Sequence, residues 1–168
     1  MKQAFNILLL GASYGSLLAT KLALAGHNAK LICLPDEVNL INKEGTLVRM
    51  PVKGREGLYD ISSKKLSGKI EAIGPGQVKA DEFDLAVLAM QEPQYRSADI
   101  KNVLKGLAAA KIPCMSIMNM PPLTYLKRIN GLDTTKYRDS YADASVWDQL
   151  DPNLMTLCSP DPQAFRPP

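Results

Sequence analysis

The sequence predicts an α/β fold built on a doubly wound, mostly parallel sheet. Three observations carry that expectation. Short continuous apolar runs, of the kind that fit strands buried on both faces, recur at 6–10, 30–34, 83–90 and 112–118. Between them lie segments with apolar residues at helical spacing, one through Leu17, Leu18, Leu22 and Ala25 to a stop at Gly26, another over 100–110. The first run passes into the first helix through a short glycine turn, 11–16.

That turn is the richest feature of the chain. Glycine lets a backbone approach a diphosphate, and the free N–H groups and positive dipole end of the following helix favour its charge. Gly11, Ala12, Ser13, Tyr14, Gly15 and Ser16 are therefore expected to bind a dinucleotide, which makes the fold Rossmann-like. The full fingerprint is G-x-G-x-x-G; here Gly11 and Gly15 stand one residue closer together and the middle glycine is missing. A tight structural turn that binds nothing is the alternative. Context favours binding: a strand before, a helix after, and a second strand roughly 20 residues on, with the carboxylate of Asp36 at its tip to meet a ribose. Ser13 and Ser16 either donate hydroxyl bonds to phosphate or cap the helix.

Beyond Asp36 a short helix is expected over 38–43, then a β-rich excursion from 46 to 78, with strand-like pieces at 46–50 and 58–61 broken by Gly54, Gly57, Gly68 and the turn at Gly74, Pro75 and Gly76. Ligands of a doubly wound sheet collect beyond the carboxyl ends of its strands. Met90, Gln91 and Asn119 thus join the expected cofactor contacts. Glu92 lies in the same cleft. The expected division is a dinucleotide-binding domain over 1–130, then an acidic and finally proline-rich extension over 131–168. In that extension Asp133, Asp139, Asp143, Asp148 and Asp151 surround the single tryptophan, Trp147, and read as a solvated face. The end, with four prolines after Ser159, reads as a strap toward a further domain or partner.

With 168 residues, 46% of them hydrophobic, the chain can bury a sizeable core. A net charge of +3 gives no argument for nucleic acid, and the basic stretch over 46–79 reads as a solvated surface. Cys33, Cys114 and Cys158 show neither metal spacing nor a disulfide framework; the first two read as core residues. No metal site is expected. No span suits a membrane and no signal-peptide pattern opens the chain, so the cytoplasm is the expected location.

The order I-L-L-L-G-A-S-Y-G-S-L-L-A-x-x-L-A-x-A-G-H-x-A-x-L, then F-D-L-A-V-L-A-M-Q, then I-M-N-M-P-P, resembles the cofactor domain of the ketopantoate reductase family and its 6-phosphogluconate-dehydrogenase-like relatives, over about residues 5 to 130. The resemblance implies a Rossmann domain for NADPH and a separate helical domain, absent from this chain, that supplies the catalytic lysine and much of the substrate site. It gives Asn119 a place against cofactor and substrate and makes it the one candidate catalytic residue. Three departures accompany it: the missing glycine, Gln91 where the family usually has lysine, and Leu34-Pro35-Asp36 where it often has an arginine for the 2′-phosphate. An acid there disfavours NADP and favours NAD.

Two functions follow as expectations. One is the NAD(P)-binding part of an oxidoreductase acting on a small 2-oxo or 2-hydroxy acid once a catalytic domain is present, and not turning over as this chain alone. The other is a degenerate Rossmann module that senses a nucleotide or mediates assembly. A second copy of the chain is a further candidate partner. A short-chain dehydrogenase needs a Tyr-x-x-x-Lys pair, and none of the six tyrosines has lysine four residues on. His27, in the turn after the first helix, is at the wrong end of the strands to act as a base.

Overall fold

The structure, a computed structural model, describes residues 3–158. The chain divides into two compact units between Val78 and Lys79. The fold class is α/β and Rossmann-like, with three parallel strands in each unit and helices beside them. Among the described residues, no helix is long and apolar enough to cross a membrane.

The first unit runs β1 (Asn6–Leu10), α1 (Ala12–Leu24), β2 (Asn28–Ile32), α2 (Pro35–Glu44), β3 (Leu47–Pro51), β4 (Leu58–Ser62) and β5 (Ile70–Ile73). β2 pairs in parallel with β1, Asn6 opposite Asn28, and with β5, Ala29 opposite Ile70. The β-rich excursion is an antiparallel hairpin of β3 and β4 followed by the parallel strand β5. Ile7, Leu8, Leu9, Leu10, Leu31 and Ile32 form the core.

Helix α1 corrects the expected packing face. The residues it buries are Gly15, Ala19, Thr20 and Ala23, whereas Leu17 and Ala25 are exposed. The cause is close approach: a Cβ on Gly15 would lie 3.2 Å from Leu31 Cδ2 and 3.5 Å from Leu9 Cβ. Only small residues at four-residue spacing fit against the strands there, so Leu17 and Leu24 turn outward and Leu18 and Leu22 are half-buried. The helix also starts at Ala12, which reduces the expected six-residue turn to Gly11. The second strand stands two residues earlier than expected and Asp36 falls in the first turn of α2, not at a strand tip.

At the outer strand, Asn42 of α2 acts as a surrogate strand. Its Nδ2 donates to the Ala72 carbonyl and its Oδ1 accepts from the Ala72 amide, both at 2.8 Å. This occupies hydrogen-bonding groups that an edge otherwise presents to other chains. Replacing Asn42 with alanine is expected to lower stability by about 1–3 kcal/mol, since two backbone groups lose their partner, with the loss read from denaturant midpoints.

The second unit comprises β6 (Leu85–Leu88), α3 (Ala98–Ala109), β7 (Cys114–Ser116), α4 (Leu123–Leu126) and β8 (Met155–Leu157). β7 pairs in parallel with β6 on one side and β8 on the other. Helix α3 buries Ile100, Val103, Leu104 and Leu107, the face its periodicity predicts. Cys33 and Cys114 are buried, and burial is the main force pushing their thiols up, to about 11 and about 12.

Residues 133–158 keep Asp133, Asp139, Asp148 and Asp151 exposed and bury the tryptophan among them. Trp147 is fully buried against Tyr95, ring centroids 5.2 Å apart, and Tyr141, 6.4 Å. The aspartates are structural. Asp133, Asp143 and Asp151 each accept from the amide two residues on, closing short 3-10 turns. Asp148 bridges Arg138 and Lys127 at 2.8 and 3.2 Å, and Asp143 meets Lys101. Segment 131–158 therefore contributes a strand and a tryptophan core; the proline-rich strap over 159–168 lies outside the described residues.

These pairs set a pH dependence. The Arg138 guanidinium, then Lys127, holds the Asp148 carboxyl down to about 2, and Lys101, then the Ser145 hydroxyl, does the same for Asp143. Both bind protons more weakly folded than unfolded, so their contribution is complete above about pH 4 and is lost as pH falls through the folded values. The melting temperature is expected to drop between about pH 4 and pH 2, and Asp148→Asn to shrink that drop.

Candidate functional site

In the first unit the candidate is the end of β1. Gly11 has φ +107°, a conformation open to glycine, and its amide donates to the Ile32 carbonyl at 3.2 Å, anchoring the turn to the end of β2. No side chain caps α1 and its first turn holds no acid. The amides of the first helical turn have no acceptor within the helix, so a positive, donor-rich end stands at the carboxyl edge of parallel strands. Ala12, Ser13, Tyr14 and Ser16 belong to this turn, with Tyr14 54% exposed. Neither serine caps the helix, and the Ser16 carbonyl accepts from the Thr20 hydroxyl at 2.8 Å. Gly15 faces the other way, into the strands, so its glycine requirement is one of packing.

Asp36 is exposed at the start of α2, beside Glu37, whose carboxylate accepts from the Leu34 amide at 3.1 Å. Both acids complement the positive end of that helix. Arg49 is held by Asp60 through two bonds of 2.6 and 2.9 Å across the hairpin. His27 accepts from the Phe5 amide at Nδ1, 3.2 Å, a structural use consistent with its place in the turn.

The second unit brings Gln91 and Asn119 to one pocket of about 450 Å³ beyond the ends of β6 and β7. Met90 is not among its lining residues, and its amide donates to the hydroxyl of buried Tyr95 at 3.2 Å. The far wall is Asp139, Ser140, Tyr141 and Ala142, which sequence reasoning assigned to the extension. Two bonds bind that wall to the strand ends. The Ala142 amide donates to Glu92 Oε2 at 3.1 Å, and the Tyr141 hydroxyl donates to the Pro121 carbonyl at 2.7 Å. Burial first, and then the Glu92 charge, pushes the Tyr141 phenol up to about 12. No signal in the sequence ties Glu92 to Ala142, which are distant along the chain.

No family model and no curated protein matches this sequence. Among solved structures it is similar to a provisionally assigned ketopantoate reductase from Ralstonia solanacearum MolK2, with a TM-score of 0.50 and 19% identity over 76% of this chain. This chain spans 36% of that protein's length. Two crystal structures of aspartate semialdehyde dehydrogenase II from Vibrio cholerae, one complexed with ASA, give TM-scores of 0.41 at 12% and 9% identity, over 70% and 92% of this chain and 29% and 38% of theirs. Likeness at that level carries no argument. The first comparison shows the fold, a Rossmann-like α/β chain, and nothing of what it binds.

Proposed function

We propose that this chain is the nicotinamide-dinucleotide-binding part of an oxidoreductase, located in the cytoplasm. The observation that carries the reading is the uncapped, acid-free N-terminus of α1, entered through Gly11 at the carboxyl ends of β1 and β2. Gly11, Ala12, Ser13, Tyr14 and Ser16 supply the diphosphate contacts, Asp36 the ribose contact, and Met90, Gln91 and Asn119 are the contacts proposed for the second unit. Titrating NADH into the ¹⁵N-labelled chain is expected to move the amides of Gly11 to Ser16 most. Shifts that spare them contradict the reading and leave the assembly module.

NAD(H) is the preferred cofactor, since Asp36 opposes a 2′-phosphate and Arg49 is already engaged by Asp60. NADH is expected to bind more tightly than NADPH, with Asp36→Ala narrowing the difference; tighter NADPH binding to the unmodified chain sinks this assignment.

The chemistry needs further groups. Among the described residues, the pocket with Asn119 and Gln91 is lined by no lysine or histidine to pass a proton to a carbonyl oxygen. The proposed source is a further domain, in keeping with the third or so of the Ralstonia protein's length that this chain spans. A 2-oxo or 2-hydroxy acid substrate also needs its cation from that source. Mixed with NADH and ketopantoate, the chain alone is expected to leave nicotinamide absorbance at the control rate; oxidation lost on Asn119→Ala contradicts this.

A further inference from the structure

The hairpin of β3 and β4 forms a sheet of its own, with β3 on one side of β4 and no strand on the other. Its register shows which backbone groups are left over. The Ser63 amide donates to the Thr46 carbonyl at 2.9 Å, so the pairs in step with it, Val48 with Ile61 and Met50 with Tyr59, face each other for hydrogen bonding. Leu58, Asp60 and Ser62 therefore turn their N–H and C=O groups outward, and among the described residues nothing takes them. Strand edges of this kind are usually guarded. The outer edge of β5 has Asn42, and β3 carries Pro51, which has no N–H to offer. β4 has neither device.

The side chains also describe an uncovered surface. A hairpin that covers a core buries one face and shows water a polar one. Here Leu47 is 68% exposed and Leu58 64%, with exposed Pro51 opposite Leu58 on the same face, while Val48, Met50, Tyr59 and Ile61 on the other face are only half-buried. Arg49 and Asp60 are the only charged residues of the two strands, and they hold each other through bonds of 2.6 and 2.9 Å. The exposed face is thus apolar and neutral. A strongly acidic or basic partner finds no free charge there, whereas an identical hairpin meets it with no charge left unopposed.

An isolated two-stranded hairpin is marginal in water, and further strands add backbone pairing and cross-strand contacts. We infer that β4 pairs with the β4 of a second copy of this chain, antiparallel about a two-fold axis, joining two hairpins into one four-stranded sheet. None of the hairpin residues is assigned to the dinucleotide, and the inference does not rest on that reading.

The test is sedimentation equilibrium of the full chain without dinucleotide over a dilution series. The mean mass is expected to rise from 18.4 kDa toward twice that, with a dimer Kd on the order of 0.1 mM, as suits a small interface. In ¹⁵N spectra the same series is expected to move the amides of Leu58, Asp60 and Ser62 most. Leu58→Glu alters an exposed side chain and sets like charges near the axis; it is expected to weaken the dimer about tenfold or more. Ser62→Pro, at φ −90° near the proline range, removes an outward N–H and no bond to β3, and a similar loss is expected. Leu40→Glu, at an exposed leucine of α2, is expected to leave the dimer unchanged. The inference is overturned if the chain stays monomeric throughout, if the concentration-dependent shifts spare β4, if Leu40→Glu weakens association as much as Leu58→Glu does, or if Leu58→Glu and a folded Ser62→Pro associate as the unmodified chain does.

Discussion

Replacing Trp147 with alanine is expected to destabilise the second unit by about 3–5 kcal/mol, the range for emptying a large aromatic site in a packed core. Trp147 is fully buried between Tyr95 and Tyr141, and the Thr124 hydroxyl donates to its carbonyl. Deleting the indole leaves a cavity beside the two tyrosines, in a segment that also buries Val146, Leu150 and Met155. The indole N–H is itself buried without an acceptor among the described residues. Trp147→Phe, which removes that unsatisfied donor and keeps a ring, is therefore expected to cost less than Trp147→Ala. Urea unfolding followed by circular dichroism gives both values. A cost below about 1 kcal/mol for the alanine variant, well under the core range, means that 133–158 is peripheral after all.

Gly68→Ala is expected to be comparably severe for a different reason. A Cβ at Gly68 would stand 1.9 Å from the His27 carbonyl oxygen and 2.9 Å from Ala23 Cα, all backbone that cannot rotate away. The Gly68 amide also donates to the Ala23 carbonyl at 2.9 Å, a bond that any displacement of the segment breaks. The end of α1 and the approach to β5 must part, at a cost of about 3 kcal/mol or more. Gly76 is the control, because a Cβ there meets nothing within 4 Å; Gly76→Ala is expected to stay within about 0.5 kcal/mol of the unmodified chain. Equal melting temperatures for the two variants contradict the packing described for Gly68.

The strands β1 and β6 and the helix α3 were legible because their signals are local: continuous apolar runs, and one apolar stripe at helical spacing. The turn at Gly11 was legible for the same reason. What escaped depends on residues distant in sequence. The leucines of α1 read as its buried face, but the distance between that helix and Leu9 and Leu31 admits only Gly15, Ala19 and Ala23. The aspartates from Asp133 on were legible as mostly exposed, but not their ion pairs and turn closures, because Lys101 and Lys127 stand far upstream and turn closing needs backbone geometry. Glu92 was visible as a polar residue of the cleft; its burial under Ala142 was not. Composition reports how many charges a segment carries, whereas contacts decide what those charges hold.

The dinucleotide account rests on the bare end of α1 behind Gly11, and calorimetry tests it most directly. NADH titrated into the chain is expected to give a saturable one-to-one isotherm with a Kd on the order of 1 mM or tighter. Gly11→Val, measured where that variant is still folded, is expected to abolish it, since φ of +107° disfavours a β-branched residue and its side chain obstructs the diphosphate. No saturable heat with the unmodified chain, or an isotherm unchanged in a folded Gly11→Val variant, contradicts the account.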